Sequence, residues 1–228
     1  MLVEPHLDPP RLNDAVTATA THCRWRLRPD RQIVALSFRW AGLLLVLFVG
    51  VYAATNWISA QRFHRLRLWF DWELAIPLLP SMVWVYLSLF LTFFLPMFVL
   101  DVVRIHALCR RLAFATVLSG ICFLLFPAEL GFTRLPAASG NEAVFRTLHA
   151  LDLPHNLAPS LHVSWSLLLL GSLAQASPRW LKIAFSLWLA ALISAVLLTH
   201  QHHVLDVIGG MLVAFAACIV VRCDGRWA

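Results

Sequence analysis

The chain has 228 residues, of which 60% are hydrophobic and only 13% are charged. A soluble domain carries about a quarter charged residues, so this composition argues against a soluble helical bundle and favours an integral membrane protein. The net charge of +6 suits anionic lipid headgroups and does not indicate nucleic-acid binding, because the arginines are scattered around the apolar segments.

Apolar runs long enough to cross a bilayer as helix, roughly 17 to 25 residues, recur along the chain. We predict an all-α fold, a polytopic membrane bundle of about six transmembrane helices, because irregular backbone is not tolerated against lipid. We expect a cytoplasmic N-terminal segment, 1–31, followed by one membrane domain, 32–228. The first 30 residues lack the apolar segment of a cleavable signal, so the first span is expected to remain as an anchor. The predicted spans are 35–55, 76–99, 112–129, 160–176, 180–198 and 204–221.

The distribution of basic residues predicts the orientation of the bundle. With the N-terminus inside, the inner segments hold Arg11, Arg24, Arg26, Arg28, Arg31, Arg104, Arg110, Arg111, Arg179, Lys182, Arg222 and Arg226, and the outer segments hold Arg62, Arg65, Arg67, Arg134 and Arg146. This excess predicts that both termini are cytoplasmic. The outer stretch WISAQRFHRLRLWF, 57–70, has the residue mixture of an interfacial amphipathic helix. Abundant Arg, Leu and Ala with little Lys is typical of a high-GC bacterial genome, which predicts a multi-pass protein of the bacterial inner membrane.

Ionisable groups are costly at membrane depth and usually functional, and here they collect in three stretches. These are FPAELGFTRLP at 126–136, PHNLAPSLHVSW at 154–165 and THQHHVLDVIGG at 199–210. Under the six-span topology all three emerge on the outer side. We therefore expect them to meet in one layer, facing the periplasm or the outside.

The third stretch has the most informative spacing. His202 and Asp206 are four residues apart, so a helix would put them on one face. A carboxylate there can hold one imidazole nitrogen as an N–H donor and leave the other as a free lone pair. That arrangement is typical of an activated histidine nucleophile or base, although a polar helix cap with an incidental aspartate has the same pattern.

The second stretch predicts a helix that begins near Pro159, since proline suits the first helical turn. The N–H groups of a helix start form an anion site, to which Ser160 adds a hydroxyl, and His162 lies just inside. An interfacial histidine bonded to a neighbour is the simpler interpretation of His162. In the first stretch, Arg134 is a natural bidentate partner for phosphate or else an ordinary surface arginine.

A metal site is the competing chemical interpretation. His200, His202, His203 and Asp206 are plausible zinc ligands. Adjacent histidines point to different sides of a helix, however, and no thiol joins them. We therefore expect no metal and no other cofactor.

Together, Pro159-Ser160-Leu161-His162 and His202-His203-Val204-Leu205-Asp206 resemble the Pro-Ser-x-His and His-x-x-x-Asp elements of the type 2 phosphatidic acid phosphatase superfamily. The sequence of these motifs is most similar to the branch that includes inositol phosphorylceramide synthases. Residues that fit that branch are Asn156, Thr199, Gln201, FDWELAIPLLPSMVWVY at 70–86 and LLFPAELGFTR at 124–134. The resemblance covers roughly 70–220. The usual Lys-x6-Arg-Pro element is missing, and Ala195 and Val196 stand where a Ser-Arg pair is usual.

The resemblance implies a metal-independent lipid phosphohydrolase or phosphotransferase with a histidine nucleophile. It implies that His202 attacks phosphorus, that Asp206 orients it, and that His162 acts as general acid and base. The implied phosphate-binding residues are Arg134, Ser160 and Asn156. The donor would be a lipid phosphate or a phospholipid in the membrane, and the acceptor would be water or a lipid or polyol hydroxyl.

A non-enzymatic lipid-binding or transport bundle is the alternative. A proton-coupled carrier would place carboxylates near the middle of the bilayer. Here the middles of the predicted spans are nearly free of charge, and the ionisable groups lie at the span ends. This distribution favours chemistry at the membrane surface over transport.

Overall fold

The computed structural model describes residues 26–134, 141–151 and 155–222, and these residues are mostly helical. The predicted all-α class is therefore confirmed for the described part of the chain, while residues 1–25 of the predicted N-terminal segment lie outside it. The helices are α1 (Arg31–Ala60), α2 (Met82–Leu87), α3 (Leu89–Thr92), α4 (Pro96–Val99), α5 (Val102–Leu125), α6 (Glu142–Leu151), α7 (Leu161–Gln175), α8 (Arg179–Leu198) and α9 (Val204–Val220). A 3-10 turn covers Asp71–Ala75, and two short strands, β1 (Leu66–Arg67) and β2 (Ala128–Glu129), pair in parallel.

Three helices are long and apolar enough to cross a membrane, namely α1, α5 and α8. Helices α7 and α9 and the stretch Met82–Thr92 are apolar but shorter. These six apolar segments correspond in order to the six predicted spans. The count of six spans and the orientation of the bundle stay predictions.

The second predicted span, 76–99, is not one helix but the three short helices α2 to α4. Ser88 and Thr92 each turn their hydroxyl back onto a carbonyl three residues earlier, at 2.6 Å in both cases. Such bonds compete with the helical ladder, and Pro96 has no N–H to donate. The indole of Trp188 in α8 donates to the Ser88 hydroxyl at 2.8 Å, which holds the broken segment against the bundle.

Two other boundaries differ from prediction. Helix α5 begins ten residues before the predicted 112, because the Asp101 carboxylate accepts the Arg104 N–H at 2.8 Å and caps the helix there. The predicted amphipathic helix at 57–70 is wrong beyond Ala60, where α1 ends. The chain then runs through β1, which pairs with β2 and so ties the loop after α1 to the loop after α5.

Helix α5 lies at the centre of the bundle, in contact with α1, α7 and α9. Half of its apolar stretch is buried, against 11% for α1. The exposed face of α1 carries large apolar side chains such as Leu43, Leu45 and Val46. An apolar face of this kind is what a lipid-facing helix presents.

Candidate active site

The three polar stretches that were expected to meet do lie together at the starts of α7 and α9. The Ser160 N–H donates to the carbonyl of Asp206 at 2.9 Å. A methyl group added at Gly210 would lie 2.5 Å from the Ser160 carbonyl oxygen, so only glycine allows the two helix starts to come this close. The segment after β2 joins them, because the Gly131 N–H donates to Nε2 of His203 at 3.1 Å.

His202 and Asp206 are in contact, but not on one face of a helix as expected. Helix α9 begins only at Val204, with His203 as its N-cap. Asp206 reaches back across the first turn, and its Oδ2 lies 3.5 Å from Nδ1 of His202. This distance is longer than an ordinary N–H···O bond, as catalytic contacts often are before a substrate binds. The two residues are 6% and 1% exposed, so water screens their interaction little.

His203 is occupied on both sides of its ring, which distinguishes it from His202. Its Nδ1 lies 3.1 Å from Oε2 of Glu73, and its Nε2 accepts the Gly131 N–H. The ring stacks on both Trp69 and Phe132, with centroid distances of 5.2 Å and 4.5 Å. Burial lowers the pKa of His203. Because Nε2 accepts the Gly131 N–H, Nδ1 is the nitrogen that can donate to Glu73. A histidine with both nitrogens engaged has no lone pair left to attack phosphorus.

Glu73 is a member of this cluster that the sequence analysis did not single out. It lies on the 3-10 turn Asp71–Ala75 and is completely buried. The only signal in the sequence was an acidic residue at the entrance of an apolar run, within the FDWEL stretch. An ionisable group at such a place is usually functional.

His162 lies in the first turn of α7, the helix whose N-cap Ser160 is hydrogen-bonded to Asp206 of α9. Its ring is stacked on Tyr86 with a centroid distance of 3.9 Å, and the residue is 9% exposed. Among the described residues, Nε2 of His162 has no hydrogen-bond partner. Two buried histidines, His162 and His202, thus lie at two helix starts that are joined by a hydrogen bond, a placement suited to a pair that shares proton transfers.

The helix start at Ser160 is formed differently from prediction. Ser160 is the N-cap, and Pro159 precedes the helix instead of occupying its first turn. The Ser160 hydroxyl oxygen accepts the Val163 N–H at 3.3 Å, so it satisfies one of the free donors of α7. Its own O–H remains able to donate.

Arg134 lines a small open pocket that also contains Thr199 and His200. Its Nη1 lies 3.5 Å from the carbonyl of His149 in α6. The other lining residues are Leu78, Phe132, Thr133, Phe145, His149, Thr199 and His200. Arg134 thus lies next to the segment that carries His202, and its phosphate-binding role stays a prediction.

The sequence profile of the PAP2 superfamily matches residues 50–220, which include every segment of this cluster. The chain belongs to the PAP2 superfamily. The resemblance drawn from the Pro-Ser-x-His and His-x-x-x-Asp elements is thereby confirmed at the level of the superfamily. Membership supports a phosphatase-type activity on a phosphate-containing lipid. Neither the curated proteins nor the solved structures contain a significant match to the chain.

Asn156 has a different environment from the one expected of a phosphate ligand in this PAP2 chain. Its Nδ2 donates to the Tyr52 carbonyl at 3.0 Å and to the Thr55 hydroxyl at 2.8 Å, both on α1. The two N–H groups of the amide are thus engaged. Phosphate binding by Asn156 stays a prediction, and the observed contacts tie the loop before α7 to α1.

Where PAP2 proteins usually carry a Ser-Arg pair, this chain has Ala195 and Val196 packed in an apolar cluster with Val163 and Val207. The Val196 carbonyl accepts the backbone N–H groups of Gln201 and His202, at 3.1 and 3.2 Å. The Val196 carbonyl thus fixes the backbone of His202. The apolar side chains of Ala195 and Val196 have no group that could bind phosphate.

The zinc interpretation depended on His200, His202, His203 and Asp206. No group of three or more histidine, cysteine, aspartate or glutamate side chains is arranged to hold a metal ion within residues 26–134, 141–151 and 155–222. The ring of His200 stacks on Phe132 with a centroid distance of 3.9 Å, and its Nε2 lies 2.9 Å from the Ile76 carbonyl.

Proposed function

We propose that this PAP2 protein is a membrane enzyme that cleaves a phosphoester or diphosphate lipid through a phosphohistidine intermediate. The observation that carries the proposal is that Asp206, which lies against His202, is hydrogen-bonded through its backbone to Ser160 at the start of the helix that carries His162. His203 is a poor nucleophile because both of its ring nitrogens are engaged. This supports His202 as the nucleophile.

In the proposed mechanism, a nitrogen of His202 attacks phosphorus while the bond from phosphorus to the leaving oxygen breaks. His162 donates a proton to that oxygen, and Asp206 stabilises the imidazolium. His162 then removes a proton from the acceptor, whose oxygen attacks the phosphohistidine. The phosphorus–nitrogen bond breaks and His202 is restored. The hydroxyl of Ser160, the first amides of α7 and Arg134 stabilise charge on the phosphoryl oxygens.

The proposed donor is a phosphatidate, a phospholipid or an isoprenyl diphosphate in the outer leaflet of a bacterial inner membrane, with both termini cytoplasmic. Water as acceptor makes the enzyme a phosphatase, and a lipid or polyol hydroxyl makes it a phosphotransferase. The similarity to the inositol phosphorylceramide synthase branch favours transfer. None of these steps requires a metal, so chelators are expected to leave the activity unchanged, and activity that EDTA removes and zinc restores would contradict the scheme.

The test is to incubate the purified protein with a panel of lipid phosphates and phospholipids and to follow inorganic phosphate and new lipid products together. We expect His202→Ala to abolish turnover while the protein stays folded. The matched control is His64→Ala, since His64 is exposed in the loop after α1. Phosphate release identifies a phosphatase, and a new phospholipid without stoichiometric phosphate identifies a transferase. If neither product appears and folded His202→Ala matches wild type, a non-enzymatic lipid-binding or transport bundle is favoured instead, whereas equal turnover by both proteins would overturn His202 as the nucleophile.

A further inference from the structure

Glu73 is a carboxylate with no exposed surface, and its two oxygens receive three N–H groups. Oε2 lies 3.1 Å from His203 Nδ1 and accepts the Val204 N–H at 2.8 Å. Oε1 accepts the Phe70 N–H at 3.0 Å. A buried charge is costly unless it is hydrogen-bonded. These three contacts offset the cost of burying the Glu73 carboxylate, and they fix its position.

The Val204 N–H is one of the free donors at the start of α9. In most helices such donors are satisfied by a side chain of the N-cap residue or by water. Here a carboxylate 131 residues earlier in the chain takes the Val204 N–H, while Asp206 takes the His203 N–H at 2.8 Å. Two carboxylates therefore divide the donors of one helical turn.

The sharing of these N–H groups between Glu73 and Asp206 affects the proposed catalytic pair, His202 and Asp206. Oδ2 of Asp206 is the atom that approaches Nδ1 of His202, and the same atom accepts the backbone N–H of His203. Its position therefore depends on where the backbone of His203 is held. Glu73 fixes that backbone from both sides, through the His203 ring and through the next amide, Val204.

The ring of His203 has little freedom to move away from Glu73. It stacks on Trp69 and on Phe132, and its Nε2 accepts the Gly131 N–H. A Cβ at Gly131 would lie 2.6 Å from the Trp69 ring, so the backbone at Gly131 is packed closely against Trp69. A displacement of the Glu73 carboxylate would thus be transmitted to the start of α9 instead of being absorbed by the ring.

We propose that Glu73 is a positioning residue for the catalytic pair: acting through His203 and the first turn of α9, it sets the placement of Asp206 against His202. This inference rests on the proposed function. It does not involve contact between Glu73 and the substrate.

The test compares Glu73→Gln with wild type on dioctanoyl phosphatidic acid in detergent micelles. An error of about 1 Å in the placement of a catalytic group can cost about 10²-fold in rate, so we expect kcat to fall about 10- to 100-fold while KM stays within about twofold. The control is Asp71→Asn on the same turn, where the carboxylate is 85% exposed and pairs with Arg67; it should leave kcat and KM unchanged. A purely structural role would lower the melting temperature and leave the kcat of the folded protein intact.

His203→Phe provides the second variant, because it keeps the stacked ring and removes the contact with Glu73. It should reduce kcat as Glu73→Gln does, and the double variant should be no worse than the more impaired single variant, since both changes remove one connection. The inference would be overturned by a normal kcat in folded Glu73→Gln or His203→Phe, or by a change confined to KM. It would also be overturned if the losses in kcat of the two single variants added up in the double variant. If neither variant folds, Glu73 is a structural residue and the inference is equally overturned.

The two proposals fail in different ways. If wild type cleaves neither this probe nor any other lipid of the panel, or if His202→Ala cleaves as wild type does, the proposed function is wrong and the positioning role falls with it. If His202→Ala is inactive while Glu73→Gln has wild-type kcat and KM, only the positioning role is wrong.

Discussion

Nδ1 of His202 lies 3.5 Å from Oδ2 of Asp206, and the carboxylate that makes this contact also caps the helix that follows. The same oxygen accepts the His203 N–H at 2.8 Å. One side chain thus has a structural and a proposed catalytic role, and the two can be separated by changing its charge without changing its shape.

Asp206→Asn is the substitution that separates them. The amide oxygen can still accept the His203 N–H, and asparagine is as good as aspartate at a helix start. That same oxygen still faces Nδ1 of His202, but it no longer carries the negative charge that stabilises the imidazolium formed when His202 attacks phosphorus. We expect kcat to fall by at least about 10²-fold, in line with the loss of the orienting carboxylate in a catalytic triad, with a melting temperature close to that of wild type. The control is Asp101→Asn, at the cap of α5, which should keep full activity.

The helical class and the meeting of the polar stretches followed from the sequence because both depend on local properties. Apolar run length predicts helices, and the alternation of spans predicts which loops share a side. The contact between His202 and Asp206 was expected for the wrong reason. Spacing suggested a shared helix face, whereas the helix begins after His202 and the contact crosses its cap.

The part that could not be predicted depends on pairings between distant segments. Glu73 and His203 are 130 residues apart, and no periodicity connects them. The amide of Asn156 is satisfied by α1, about a hundred residues earlier, which a phosphate-binding interpretation of the local motif does not anticipate. The break in 76–99 depends on hydroxyls that bond back to the backbone, and average hydropathy does not register such bonds.

His162 should be needed most where the leaving oxygen is a poor leaving group. An alkoxide must be protonated as it departs, whereas para-nitrophenolate leaves readily without a proton. We expect His162→Gln to reduce turnover of dioctanoyl phosphatidic acid by at least about 10²-fold, the lower range for acid–base catalysis. The release of para-nitrophenol from para-nitrophenyl phosphate in a single turnover should be reduced much less. Equal losses on both compounds would contradict a role as general acid, and His202→Ala supplies that pattern for comparison.

Asn156→Ala distinguishes two roles of Asn156, namely holding the loop before α7 against α1 and binding phosphate. Removing the amide leaves the Tyr52 carbonyl and the Thr55 hydroxyl without this donor, so we expect a loss of about 1 to 3 kcal/mol in the free energy of unfolding. The folded Asn156→Ala protein should keep the KM of wild type. Thr55→Val, which removes one of the two acceptors on α1, should lower stability in the same direction. A rise in KM without loss of stability would instead favour phosphate binding by Asn156.

Gly210→Ala tests the close contact between the starts of α7 and α9. The new methyl group would lie 2.5 Å from the Ser160 carbonyl oxygen, which is backbone and cannot rotate away. Overpacking of this kind costs about 1 to 3 kcal/mol, and the forced separation should also lower activity by moving Asp206 away from α7. The control is Gly171→Ala within α7, where no atom lies within 4 Å of the added carbon. That change should be neutral or stabilising by about 0.5 to 1 kcal/mol. Similar behaviour of the two variants in thermal unfolding would contradict the close packing.

His200 should make the stability of the protein depend on pH. It ends α8 in the left-handed region, with φ of 55°, and burial lowers its pKa from the ordinary value of 6.5. When the pKa is lower in the folded state, the unfolded chain takes up the proton first, so stability that is present above pH 6.5 is lost as the pH falls through the folded value. His200→Asn keeps a residue that tolerates this backbone conformation and removes the titrating ring. We expect melting temperatures measured between pH 8 and pH 5 to fall less steeply in His200→Asn than in wild type, and parallel curves would contradict the assignment.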